Sequence, residues 1–342
     1  MSRTLFVDRR KGSSAPDGTL DKPYQAIQDA VNAAAALTPP PSAADPVVVA
    51  ILQGVYKENV FVGGDGLCLR GLGGAGTVSI SPGKGPALVV SNATPASVQQ
   101  YIGGADPHAL QGTGKPGTPH ALHAFDLQLT TGDPAAAAVY VVGDPKGPPL
   151  GDAMINLSHC MINAPAKALH AYFCHYIWVR HNSEVTAATD IFNCGGIWVD
   201  DSSMLDFKLT YDSGHDLGVP KIAGFPGGQF GLVGYNAFFP GGTVELRVTA
   251  QPSDPQAAGG LQPTIQTTFW DLVVGGHSAF NMIGGYVNSI SVEGTAGWYA
   301  QDVHVQGDMS FAAGEGKVQM DGGRYMGSVS DASGKFIRNP GK

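Results

Sequence analysis

The feature that most constrains this chain is a repeat of twenty residues. Cys174, Ile177, Trp178, Val179 and Ser183 recur at one offset as Cys194, Ile197, Trp198, Val199 and Ser203. A unit this short cannot enclose a core of its own. It buries its apolar side only by stacking on the units before and after it, which predicts a coil-per-repeat architecture. Both copies carry Ile-Trp-Val, and side chains alternate across a strand, so the indoles must face opposite to their β-branched neighbours. Aliphatic residues fill the inside of a stacked-strand fold. Trp178 and Trp198 are therefore expected outside, one above the other on adjacent rungs.

Short strands separated by glycine corners extend the pattern. They are read at 47–52, 59–62, 67–70 and 78–80, and again around Phe280, Val303 and Val318. With 48 glycines and 24 prolines in 342 residues, the chain carries corners for many rungs. One helix is expected, over 24–37, with Ile27, Ala30, Val31 and Ala34 on one face, Pro23 suited to the first turn and Pro39, Pro40 and Pro41 stopping it. The organisation that follows is an N-terminal strand and capping helix (1–46), a stack of strands (47–330) and a tail (331–342). Irregular excursions lie at 103–119, 143–151, 213–242 and 251–262. The third is aromatic, running from Ile222 and Phe225 to Tyr235, Phe238 and Phe239.

The N-terminal motifs carry a resemblance. Phe6-Val7-Asp8, then Asp17-Gly18-Thr19-Leu20, Pro23-Tyr24-Gln25-Ala26-Ile27-Gln28, Gly54-Val55-Tyr56-Lys57-Glu58-Asn59 and Leu69-Arg70-Gly71 resemble, in that order, the opening of pectin-lyase-like proteins. The specific motifs cover about residues 5–80. The resemblance implies an all-β fold, a right-handed single-stranded parallel β-helix (solenoid) with an N-terminal capping α-helix. That family mixes polysaccharide-active enzymes with spikes and fibres of bacteriophages. Gly54-x-Tyr56-x-Glu58 is similar to the first pectin-methylesterase motif, but the segments that would supply its catalytic partners are missing; Asp190-Ile191-Phe192-Asn193 is only a partial echo of one. Neither pectate-lyase strand motifs nor a polygalacturonase-type aspartate cluster is found, so the fold does not carry an activity with it.

Composition narrows the partners. Twenty Lys and Arg against 28 Asp and Glu leave a net charge of −8, with no basic run to neutralise successive phosphates. Nucleic acid is excluded as an expected partner. The longest apolar run, from Val47 to Leu52, is too short to span a bilayer, and the start at Met1 lacks the apolar stretch of a secretory signal. The four cysteines, Cys68, Cys160, Cys174 and Cys194, form no Cys-x-x-Cys pair and read as buried free thiols.

Several polar groups invite a chemical reading. Glu184, Asp200, Asp201 and Asp206 lie close enough in the repeat to supply a carboxylate pair. Arg180 aligned with Asp200 and His181 with Asp201 instead read as opposite-charge pairs between rungs. His159, His170, His175 and His181 lack the spacing of a zinc site and are read as structural, and no metal or cofactor motif is present. Trp178 and Trp198, flanked by Arg180 and Asp200, form the candidate surface for carbohydrate or a partner chain. Packing beneath a loop is the alternative for the pair.

These readings lead to two expectations. The first is a structural or recognition protein of a virus particle, a bacteriophage spike, fibre or surface protein, made in the host cytoplasm without a signal peptide. Homo-oligomerisation, as a trimer by family analogy, binding to other virion proteins and contact with a surface polysaccharide go with it. The second is a polysaccharide-active enzyme, a lyase, esterase or glycoside hydrolase, on the same scaffold, secreted if the native N-terminus is missing.

Overall fold

In the computed structural model the chain divides into two compact units, Met1–Ala187 and Ala188–Lys342. The described residues are 3–11, 14–74, 76–105, 110–111, 120–143, 153–172, 174, 176–192, 196–200, 204–206, 209–212, 231–235, 243–248, 260–261, 271–276, 279–283, 286–287, 289–292, 297–312 and 317–340. Along 191–286 the description is of backbone strands, apart from the buried Val199. The fold is all-β with parallel pairing, and two helices are present among the described residues.

The first unit opens with β1 (Arg3–Val7) and α1 (Ile27–Ala35), followed by β2 (Val47–Ile51), β3 (Gly54–Tyr56), β4 (Val60–Val62), β5 (Leu67–Gly71), β6 (Val78–Ile80) and β7 (Leu88–Ser91). After α2 (Pro95–Ile102) come β8 (His120–Phe125), β9 (Gln128–Thr130), β10 (Ala137–Val142), β11 (Ala153–Ser158), β12 (Met161–Tyr172) and β13 (Tyr176–Arg180). One sheet runs β1-β2-β5-β8-β11-β13; the other joins β3-β6-β9-β12 and β4-β7-β10-β12. Apart from β1 and β2, which α1 separates, neighbouring strands are separated in sequence by other strands, because parallel pairing needs a crossover connection before the chain returns.

Register turns alternation into layers. Val47, Leu67, Leu122, Ile155 and Ile177 follow one another across the first sheet, as do Val49, Leu69, Ala124, Leu157 and Val179. All ten are buried. A one-residue slip would put every one of them into water, so the register is fixed by burial worth about 1.5–3 kcal/mol per large aliphatic side chain.

Helix α1 lays Ile27, Ala30, Val31 and Ala34, the face read from the sequence, against β1, β2 and β4. Its start is later than expected. Pro23 stands outside the first turn because Tyr24 is tied to the strand, its N–H bonding Phe6 O at 2.9 Å and its carbonyl accepting from Asp8 N at 2.8 Å. The N-cap residue Ala26 has no side-chain acceptor. Glu58 supplies one from β3's far side, Oε1 accepting from Ile27 N at 2.9 Å and Oε2 from Gln28 N at 3.0 Å. The Gln28 amide in turn bonds the Phe61 backbone on both sides, taking Phe61 N at 2.6 Å and giving to Phe61 O at 3.1 Å. Tyr56 is buried and its hydroxyl reaches Leu52 O at 2.9 Å. Gly54-x-Tyr56-x-Glu58 is thus a helix clasp in this chain.

Strand β1 pairs in register with β2 over all five residues, so residues 3–7 join the first sheet. Helix α2 lies just before the excursion expected at 103–119, in a stretch for which the sequence pattern predicts no element. Its start is encoded by Thr94, which accepts from Ser97 N, and by Pro95 in the first turn.

The second unit repeats the stacking at shorter steps. Asp271 pairs with Ser289, Ile290 with Met309 and Met309 with Val329; a second series runs Phe280, Trp298, Val318, Phe336, and a third joins Tyr286, His304 and Arg324. Trp298 and Phe311 are buried and their rings lie 6.1 Å apart, with Phe336 4.9 Å beyond Phe311. Strand Phe336–Asn339 pairs with Val318–Asp321, so the pairing passes the boundary expected at 331. Phe336 extends the aromatic row there.

Candidate functional site

The outward rows of the first sheet bring aromatic, amide and basic side chains together. Where Ile177 and Val179 point inward, Trp178 between them is partly exposed, as alternation requires. Across the strands, Trp178 pairs with Asn156, Asn156 with His123 and His123 with Cys68. The next outward row is Arg180, Ser158, Phe125 and Arg70. Neighbouring strands lie about 4.8 Å apart, so each row steps evenly along the face.

Aromatic rings pair along the strands. Tyr176 and Trp178 stack with centroids 5.6 Å apart and planes 26° from parallel; His123 and Phe125 stack at 6.3 Å and 10°. Asn156 Nδ2 meets His123 Nδ1 at 3.3 Å, which fixes the imidazole between ring and amide. His123 remains exposed, but partial loss of water beside its neighbours holds its pKa below the usual histidine value, with Asp65 pulling the other way. Cys68 departs from the buried expectation: it lies on the outward row, half-buried, and loss of water pushes its thiol up to about 11. Cys160 and Cys174 are buried free thiols as expected.

One edge of this face is built from strained corners. Asp126, His159 and His181 follow the ends of β8, β11 and β13, and all three are left-handed, with φ of 57°, 55° and 53°. Such a conformation costs a non-glycine residue about 1–2 kcal/mol. Side-chain bonds between successive corners accompany it. His159 Nδ1 is 2.7 Å from Asp126 Oδ1, and Ser158 Oγ is 2.6 Å from His181 Nδ1. Arg70 Nε approaches Asp126 Oδ2 at 3.9 Å. The sequence reading took these histidines as structural without seeing which groups they would meet. A visible signal existed: each sits at the first position after a strand ending, where Asp, Asn and His are the side chains that tolerate positive φ.

His170 lies elsewhere, on the second sheet, with its Nε2 2.7 Å from the Tyr101 hydroxyl of α2 and its ring over Tyr140. Glu184 is exposed at the start of its strand. Trp198 and Asp200 lie in strand Gly196–Asp200, which begins twenty residues after β13 as the repeat requires; their side chains are outside the described residues. So are the side chains of Cys194 and Asp206, and residues His175, Asp201, Ile222, Phe225, Phe238 and Phe239. Among the described residues no group of three or more His, Cys, Asp or Glu is placed to hold a metal ion, and no helix is long and apolar enough to cross a membrane.

No protein-family model and no curated protein sequence matches this chain.

Proposed function

We propose that the chain is a right-handed parallel β-helix capped by α1, of the pectin-lyase-like kind its N-terminal motifs resemble, and that it serves as a structural or recognition protein of a virus particle that holds a surface polysaccharide. The observation that carries this reading is Trp178, held outward on a rigid strand with Tyr176 stacked beside it and Asn156, Arg180 and the His123–Phe125 pair around it. Sugar rings present flat C–H faces edged by hydroxyls. A stacked aromatic pair offers the apolar face, and Asn and Arg offer directional hydrogen bonds at its rim. Strands are stiffer supports than loops, so little ordering is needed on binding.

The reading extends to assembly as a homo-oligomer, a trimer on the family analogy, or with other virion proteins; light scattering over a concentration series tests it. The polysaccharide site is tested on a glycan array with the wild type and Trp178→Ala. Retention of selected glycans by the wild type, with at least a tenfold loss in the variant and an unchanged melting temperature, supports the reading. Equal binding by both proteins, or binding of no glycan, defeats it.

A further inference from the structure

We propose that Asp126 and His159 form a general base which, with Arg70, hydrolyses acyl esters carried by the polysaccharide on the adjoining strip. The choice of substrate polymer rests on the glycan-binding reading; the base itself does not.

Asp126, His159 and His181 take the left-handed conformation at three neighbouring corners, as Asn182 and Asp302 also do, and Asp, Asn and His tolerate it better than most side chains. What it achieves here is to bring the imidazole of His159 onto the carboxylate of the preceding corner at 2.7 Å. A carboxylate only accepts, so Nδ1 carries the hydrogen and the lone pair of the neutral ring is on Nε2. The His159 side chain is 49% exposed, and Nε2 has no hydrogen-bond partner among the described residues. This is the orientation in which a carboxylate prepares an imidazole to take a proton.

The second oxygen of Asp126 faces Arg70, whose side chain is 60% exposed and approaches through Nε. Its two terminal nitrogens have no hydrogen-bond partner among the described residues. Glycoside hydrolysis needs two carboxyl groups working across one bond. The carboxylate at this corner has both oxygens engaged, one by His159 and one by Arg70. What the edge presents is one base and one neighbouring cation. Ester hydrolysis needs that pair: a base to activate water and a positive group for the oxyanion. Ser158 is not the nucleophile, since it is buried and its hydroxyl bonds His181.

In the step, His159 Nε2 takes a proton from water as the water oxygen bonds to the acyl carbon. The carbonyl pair moves onto its oxygen, beside the Arg70 guanidinium. The intermediate then collapses, the carbon–oxygen bond to the sugar breaks, and the proton on Nε2 passes to the departing sugar oxygen. The products are a carboxylic acid and a free sugar hydroxyl.

The test follows acetate release from p-nitrophenyl acetate, which needs no sugar recognition, and from acetylated xylan. His159→Asn is the informative variant, because asparagine accepts the left-handed corner and melting temperature checks the fold. A positioned base contributes roughly 100- to 10,000-fold. His159→Asn is therefore expected to lower release from both probes at least a hundredfold, Asp126→Asn to lower it substantially, and His304→Gln in the other unit to leave it unchanged. No release by the wild type from either probe, or a His159→Asn protein as active as the wild type, overturns the proposal. Trp178-dependent binding of xylan without any acetate release overturns this inference and leaves the glycan reading intact. Acetate release without Trp178-dependent binding supports the base and removes the glycan reading.

Discussion

Replacing Glu58 separates the structural account of the Gly54-x-Tyr56-x-Glu58 motif from a catalytic one. Its two carboxylate oxygens take the first two exposed amides of α1, at 2.9 and 3.0 Å, and Ala26 offers nothing in their place. Removing an N-cap costs about 0.5–2 kcal/mol, and a hydrogen bond to a charged acceptor contributes about 1.5–3 kcal/mol. Glu58 is only partly buried, so water recovers some of the loss, and Glu58→Ala is expected to cost about 2–4 kcal/mol. Glu58→Gln keeps one acceptor of lower strength and is expected to cost about half as much. For a unit of this size 1 kcal/mol moves the melting temperature by about 2–4 °C, so the Ala variant should melt roughly 5–15 °C lower. Urea unfolding followed by circular dichroism supplies the free energies, provided the m-value is unchanged. A loss under 0.5 kcal/mol for Glu58→Ala, or an equal loss for Gln and Ala, would refute the clasp.

Further outcomes follow from the same geometry. Trp298 is buried against Phe311, so Trp298→Ala should cost about 3–5 kcal/mol, whereas Trp178→Ala, at a partly exposed position, should cost no more than about 1–2 kcal/mol in thermal or urea melts. Burial pushes the Cys160 thiol up to about 12 and that of Cys68 up to about 11. An aromatic disulfide reagent at neutral pH should therefore modify Cys68 slowly and Cys160 only on unfolding. Asp321 accepts from Gln319, Asn339 and Tyr299, which holds its carboxyl below the ordinary value. The folded state then favours the ionised form, so this contribution is complete above the unfolded value and disappears as pH falls through the folded one. Asn339→Ala should thus melt below the wild type at neutral pH, and the gap should close below about pH 4.

Much of the stacking was legible because it is written in local alternation. Ile177, Trp178 and Val179 define inside and outside by themselves, and the twenty-residue repeat sets the next strand at Gly196. The apolar face of α1 was readable for the same reason. Its cap was not, since Glu58 lies about thirty residues from the amides it binds. Helix α2 was hidden by weak periodicity, although Thr94 and Pro95 mark its start. The strip at Trp178 was half visible: the tryptophan by its pattern, but His123, Phe125 and Arg70 only through a register that spans long excursions. The Asp126–His159 pair joins corners 33 residues apart, a spacing that no repeat announces.

The proposed glycan site runs along the outward rows beside Trp178. Hydroxyl-radical footprinting of the protein with and without a glycan selected on the array reads this residue by residue. Protection of Trp178, Tyr176 and Phe125 on binding, with the buried Trp298 unreactive in both states, is the predicted result. Unchanged labelling of Trp178 and Phe125 in the saturated complex would contradict it.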